Sequence, residues 1–147
     1  KIVLEALENN LIKEFDKDIT IKTEIKFGVN TRFDFLINKK NYKAFLEVKN
    51  VTLKRKRKIA EFPDTVTSRG AKHIEELIKA SKKGYQIYIA FIIQREDCNQ
   101  FTIANDIDPT YSTLLSKAVK KKLNILCYDC KFSPKGIKLN KKIKLKI

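Results

Sequence analysis

Asp34, Glu47 and Lys49 are the residues of this chain whose types and spacing suit catalysis. They fall in two neighbouring strand-like segments, 31–37 and 44–49, which read as the arms of a hairpin. Two carboxylates side by side repel each other unless a cation or a proton lies between them. Mg²⁺ or Mn²⁺ is the expected partner, because a hard divalent cation takes oxygen ligands from one or two carboxylates, water and substrate phosphate. Such a cation polarises a phosphoryl group and lowers the pKa of a bound water. Lys49 would then orient or deprotonate that water, or stabilise the charge developing on phosphorus. The carbonyl of Val48, between Glu47 and Lys49, is a plausible extra ligand.

Register decides whether the carboxylates meet. A loop of even length, 39–40 or 38–41, sets Asp34 opposite Phe45 and Arg32 opposite Glu47. Asp34, Glu47 and Lys49 then share a face, with Asp34 and Glu47 as diagonal neighbours roughly 7–8 Å apart at Cα. A loop of odd length sends the carboxylates to opposite faces. The same residues also fit a cross-strand Arg32–Glu47 ion pair, with Asp34 and Lys49 as solvated surface charges.

Further residues suit a phosphate backbone. Arg69, Lys72 and His73 stand at i, i+3 and i+4, on the helix face opposite Ile74, Leu77 and Ile78. Near a helix start, free N–H groups would help them hold phosphates. An ordinary polar face, with Glu76 paired to Lys72, is the competing reading. His73 is the sole histidine, which leaves no His-rich metal cluster and argues against a Ser-His-Asp triad. Gln94 and Arg95 follow an apolar strand, at the kind of strand end where sites gather. Lys54, Arg55 and Arg57 belong to the basic run 54–58, which follows the acidic pair closely and would clamp DNA; Arg32 joins them. No aromatics cluster around that run and no recognition helix is visible, so mainly backbone contacts are expected. Cys127 and Cys130, three apart in a strand, point to opposite faces and do not read as a zinc or redox pair.

The surrounding elements must position these groups. Residues 3–15 read as an amphipathic helix, with Leu4, Leu7, Leu11 and Phe15 in one stripe. Residues 19–27 alternate as a half-buried strand, and the 31–37/42–50 hairpin follows. Residues 51–66 read as irregular. A helix capped by Thr67 or Ser68 buries Ala71, Ile74, Leu77 and Ile78 and stops at Gly84. The apolar run 85–93 reads as a central strand. Asp108 caps a helix that opens on Pro109, and 124–130 is another strand. The tail from Lys131 carries seven lysines and no acid, with Ile143, Leu145 and Ile147 alternating. The expected order is helix, three strands, helix, strand, helix, strand: an α/β fold with a mixed sheet flanked by helices.

The chain's 147 residues fit one domain with a real core. Its 32 Lys+Arg against 17 Asp+Glu give +15, which favours nucleic acid or another polyanion and salt-dependent binding. No apolar run is long enough to span a membrane, so no membrane partner is expected. Three cysteines are too few and too odd for a disulfide scaffold and fit a reducing cytoplasm. Nothing in the pattern sets an oligomeric state.

The segments Thr-Arg-Phe-Asp-Phe at 31–35, Glu-Val-Lys-Asn-Val-Thr-Leu at 47–53, Phe-Pro-Asp-Thr-Val-Thr-Ser-Arg-Gly-Ala-Lys-His at 62–73, Gln-Arg-Glu-Asp at 94–97 and Asp-Pro-Thr-Tyr at 108–111 closely resemble the sugar fermentation stimulation protein family. The resemblance implies a restriction-endonuclease-like PD-(D/E)xK core and a DNA-binding role. It implies that Asp34 matches the family's metal-binding Asp, and that Glu47 and Lys49 match its Glu-x-Lys. Glu5, with Glu8 as an alternative, falls where related nuclease folds place another acidic ligand. An N-terminal OB-like domain of the full-length family would lie outside this chain. Two functions follow: a Mg²⁺- or Mn²⁺-dependent nuclease, or a non-catalytic DNA-binding regulator of sugar (maltose) metabolism genes. A basic scaffold for RNA or protein is a third, more distant reading.

Overall fold

The alternating segments and the apolar run become strands of one sheet. A computed structural model of the chain describes residues 1–15 and 17–146. The elements are α1 (Ile2–Glu8), β1 (Thr20–Phe27), β2 (Thr31–Lys39), β3 (Tyr42–Val51), β4 (Leu53–Lys56), β5 (Ile59–Phe62), α2 (Ser68–Lys82), β6 (Gln86–Ile93), β7 (Gln100–Ile103), α3 (Pro109–Lys120), β8 (Asn124–Ser133), β9 (Gly136–Lys142) and β10 (Lys144–Leu145). Six strands form a mixed sheet in the order β1-β2-β3-β6-β8-β9. Its centre is parallel, from β3 through β6 to β8, and its edges are antiparallel. A smaller sheet runs β10-β7-β5-β4.

Two cores sandwich the large sheet. Val3, Ala6 and Leu7 of α1 pack with Phe35, Leu46, Ile92 and Tyr128 on one face. Ile74 and Leu77 of α2, Tyr111 and Leu115 of α3, and Phe101 of the small sheet pack with Phe45, Ile89 and Phe91 on the other. β6 feeds both cores, as its unbroken apolar run requires of a strand covered on both sides.

Both long helices begin as their caps dictate. Thr67 accepts the Gly70 N–H at 2.9 Å, and Asp108 accepts the Tyr111 N–H at 3.0 Å. The second Asp108 oxygen accepts the Thr67 N–H at 2.9 Å, so one carboxylate ties the two helix starts together. Gly84, at φ +95°, takes the left-handed position that ends α2, and the Tyr85 N–H reaches back to the Ala80 carbonyl.

Four expectations need correction. The first helix stops at Glu8, not Phe15. Asn10 adopts φ +56°, and the Leu11 N–H bonds the Ala6 carbonyl, a helix-ending motif that asparagine tolerates. Leu11 is consequently exposed, while Ile12 and Phe15 are buried from irregular chain. Residues 51–66 are irregular only from 63 onward: β4 and β5 form a hairpin turned at Arg57-Lys58, with Lys58 at φ +61°. Its basic run masked the alternation. The short β7 was not foreseen, and the lysine tail contributes β9 and β10. Ile143 is buried and Leu145 half-buried; Ile147 lies outside the described residues.

The Tyr111 hydroxyl is buried and has no hydrogen-bond partner among the described residues. Burial, with Glu47 and Asp108 nearby, raises its pKa. Tyr111→Phe is expected to leave stability unchanged or raise it by up to ~1 kcal/mol, since an unsatisfied buried group is removed. Urea unfolding reads this; a loss of more than that would mean the hydroxyl has a partner in solution.

Candidate metal and phosphodiester site

The β2–β3 hairpin turns over Lys40 and Asn41, with Lys39 facing Tyr42. This loop is even but displaced from the expected 39–40 or 38–41. Leu36 therefore faces Phe45, and the register carried on from the Phe35–Leu46 pair sets Asp34 directly across from Glu47 rather than diagonal to it. The carboxylates bond where the backbone ladder would continue. The Asp34 N–H donates to Glu47 Oε1 at 3.2 Å, and the Val48 N–H donates to Asp34 Oδ2 at 2.7 Å. The expected Arg32–Glu47 pairing is absent among the described residues; Arg32 faces Lys26 of β1 instead.

The sheet turns over at this level. Phe33 joins the α2-side core and Phe35 the α1-side core, although i and i+2 share a face in a regular strand. In β1, Ile21 and Ile25 divide in the same way. Glu24 lies between them at φ +50°, strained for a residue with a side chain. The switch leaves Asp34 only partly buried, whereas Glu47 is 2% exposed.

Glu47 is held by His73 and Lys49. His73 Nδ1 contacts Glu47 Oε2, Lys49 Nζ lies 3.6 Å from the same oxygen, and Lys49 Nζ stands 3.1 Å from His73 Nδ1. Burial opposes charge on Glu47, but bonds from His73 and Asp34 and the charge of Lys49 prevail, holding its carboxyl below the usual value. Burial and the neighbouring Glu47 push Asp34 up from 3.8 to about 7. The pair thus behaves as one proton shared between two carboxyl groups, the state that a cation would replace. The donors fit a hard divalent ion.

His73 corrects the expected helix face. It is 8% exposed and packs inward with Ile74 and Leu77, because α2 packs across β6, β3 and β2 of the large sheet. Arg69 and Lys72 remain outside, and Glu76 pairs with Lys79 rather than Lys72.

On the α1 side, a cleft of about 520 Å³ is lined by Glu24, Asp34, Val48, Asn50 and Gln94 among others. Glu5 is exposed and does not line it, because α1 turns Val3, Ala6 and Leu7 inward. Glu24 is the acidic residue that sequence reading overlooked; only its positive φ distinguishes it. Among the described residues no group of three His, Cys, Asp or Glu side chains converges to hold a metal ion.

The other basic candidates divide. Arg55 forks onto Glu61 and Asp106 with four contacts of 2.7–2.8 Å. Arg95 forks onto Asp97 at 2.8 Å and also reaches the Thr52 carbonyl, while Lys54 joins Asp97 at 3.2 Å. These three brace the small sheet and its neighbouring loops. Arg57 stands exposed on its turn. Arg55→Ala is expected to lower the melting temperature more than Lys54→Ala, because Glu61 is buried and would lose its fork. Equal melting curves would show that the fork is dispensable.

Cys98, Cys127 and Cys130 are buried free thiols. Cys127 and Cys130 belong to opposite cores, as their spacing requires. Burial, aided by Asp129, pushes them up to about 12 and about 11. Among the described residues no helix is long and apolar enough to cross a membrane.

Comparison with known proteins bears on this geometry. The family model "Sugar fermentation stimulation protein RE domain" matches residues 1–136. A sugar fermentation stimulation protein homolog of Pelagibacter ubique is 50% identical over 145 residues, covering 99% of this chain and 62% of the relative. One from Bartonella henselae is 42% identical over 138 residues, covering 93% and 59%. The solved structure of Pyrococcus furiosus SfsA in complex with Ca²⁺ superposes with a TM-score of 0.88 at 28% identity, covering 97% of this chain and 62% of that one. The chain spans about three fifths of the length of these relatives.

Proposed function

Because this chain belongs to the sugar fermentation stimulation protein family, we propose that it is a DNA-binding, nuclease-like domain whose Asp34 and Glu47 hold a divalent cation for phosphodiester hydrolysis. The observation that carries this is Asp34 set against Glu47 with Lys49 Nζ 3.6 Å from Glu47 Oε2, in a chain of net charge +15. The Ca²⁺ in the solved SfsA structure supports a divalent ion; Mg²⁺ or Mn²⁺ is the proposed working ion. Asp34, Glu47 and the Val48 carbonyl would hold it, in a PD-(D/E)xK-type arrangement. The cation would polarise the phosphoryl oxygen and lower the pKa of an attacking water.

The chain's own residues do the rest. Glu47 stays ionised because His73 and Lys49 face it. Val48 N–H fixes the Asp34 oxygen against rotation. Lys49, itself mostly enclosed, presents its ammonium beside the pair to orient water or stabilise charge on phosphorus. Glu24, rather than Glu5, is the acidic neighbour on the open side.

Supercoiled plasmid and linear DNA incubated with Mn²⁺ or with chelator test the proposal. Metal-dependent nicking, lost in Asp34→Ala and in Lys49→Ala, is the expected result. Unchanged DNA under all conditions, with a salt-sensitive mobility shift, would favour the regulator that the relatives' name suggests.

A further inference from the structure

We propose that the groove on the α2 side of the large sheet seats the phosphates of a nucleic-acid strand, and that His73 couples this groove to the carboxylate pair. The inference rests on the nucleic-acid reading above but not on turnover. The groove encloses about 690 Å³; its wall includes Lys26 and Arg32 from the edge of the sheet, Ser68, Arg69 and Lys72 from the start of α2, and His73. Four cations line it and no acid does.

Two features mark these cations as awaiting a ligand. Lys26 and Arg32 are directly cross-strand, and like charges so placed destabilise a sheet. Arg69 and Lys72 are neighbours at i, i+3 on a helix, which is unfavourable for the same reason. Among the described residues none of the four forms an ion pair, whereas Lys54, Arg55, Lys79 and Arg95 each hold a carboxylate. These four instead face one concavity without an acid in its wall. A chain of phosphates resolves the repulsion.

His73 forms part of both places. Its Nδ1 edge meets Glu47 and Lys49, and its ring is a piece of the groove wall. A phosphate in the groove is therefore one imidazole away from the carboxylate that would hold the cation. His73 positions Glu47 from behind and presents its other edge to the strand.

Fluorescence anisotropy of labelled single-stranded and duplex DNA, measured in EDTA, tests this without cleavage. The double variant Arg69→Glu/Lys72→Glu is expected to weaken binding at least tenfold and to flatten the salt dependence. Removing two phosphate contacts lowers the log–log slope by about 1.8 for duplex. Lys138→Glu/Lys141→Glu on strand β9 changes net charge equally and should cost less than threefold. Equal losses from the two doubles would overturn the proposal, because binding would then follow overall charge. His73→Asn keeps a side-chain amide near the Nδ1 position but removes the outer ring edge. Measured in EDTA, it should lose DNA affinity severalfold; unchanged DNA affinity would reduce His73 to an internal prop. Absence of nicking in the plasmid assay would leave all of these readouts intact, so failure of the hydrolytic reading and failure of the groove are separable.

Discussion

Asp34→Asn is expected to stabilise the cation-free chain at about pH 8 while abolishing its thermal response to Ca²⁺ or Mn²⁺. The Asp34 carboxyl takes up its proton at about 7 in the folded chain, against 3.8 as its ordinary value. Between those values the folded chain binds more protons than the unfolded one. Stability therefore falls as pH rises through that window, and the loss is complete above it. Glu47 works in the opposite sense and at lower pH: its depressed pKa contributes stability that is present above 4.5 and lost on acidification. Asparagine keeps an oxygen for the Val48 N–H and offers an amide N–H to Glu47, without the repulsion. The gain over wild type should thus grow from about pH 4 to about pH 7 and then level off. Differential scanning fluorimetry across pH reads it. A variant less stable than wild type at the alkaline end would refute the raised pKa. In wild type, a cation must displace the shared proton, so apparent affinity should fall about tenfold per unit below pH 7. Affinity that does not change with pH would mean the ion binds elsewhere.

Lys49→Ala should cost about 10³-fold in cleavage rate, the scale of removing one electrostatic stabiliser from an enclosed site. Its Ca²⁺ affinity should hold or improve, because a positive charge beside the ligands has gone. That split separates Lys49 from Asp34, whose loss removes the ion itself. Lys49→Arg should rescue little. The ammonium fits between Glu47 and His73, at 3.6 and 3.1 Å, and a planar guanidinium does not reproduce a compact point charge. Single-turnover cleavage of a labelled duplex, with Ca²⁺ titration by calorimetry alongside, measures both quantities. Wild-type cleavage by Lys49→Ala would remove the lysine from the mechanism.

Strong local signals carried directly into the fold. Asp108-Pro109 and Thr67 fix helix starts through side-chain oxygens that need no distant partner. The apolar run before Gln94 could only be a strand covered on both faces. Signals that depend on one residue of phase were less secure. The hairpin was found, yet its turn lies at Lys40-Asn41, which changed the partner of Asp34 from Phe45 to Glu47. The β4–β5 hairpin was hidden because Arg55 draws its stability from Glu61 and Asp106, the latter far along the chain.

Residue types and spacing were enough to single out Asp34, Glu47 and Lys49, since carboxylates and a lysine on adjoining strands limit the chemistry available. Packing decided what those side chains meet. Docking α2 onto the large sheet buried His73 against Glu47 and brought Arg69 and Lys72 beside Lys26 and Arg32. The reversal at Glu24 and Asp34 opened one carboxylate toward solvent and left the other enclosed. Local pattern sets which face a residue prefers within its own element. The angle and register at which elements meet come from burial of the two cores, a sum over contacts between residues distant in sequence.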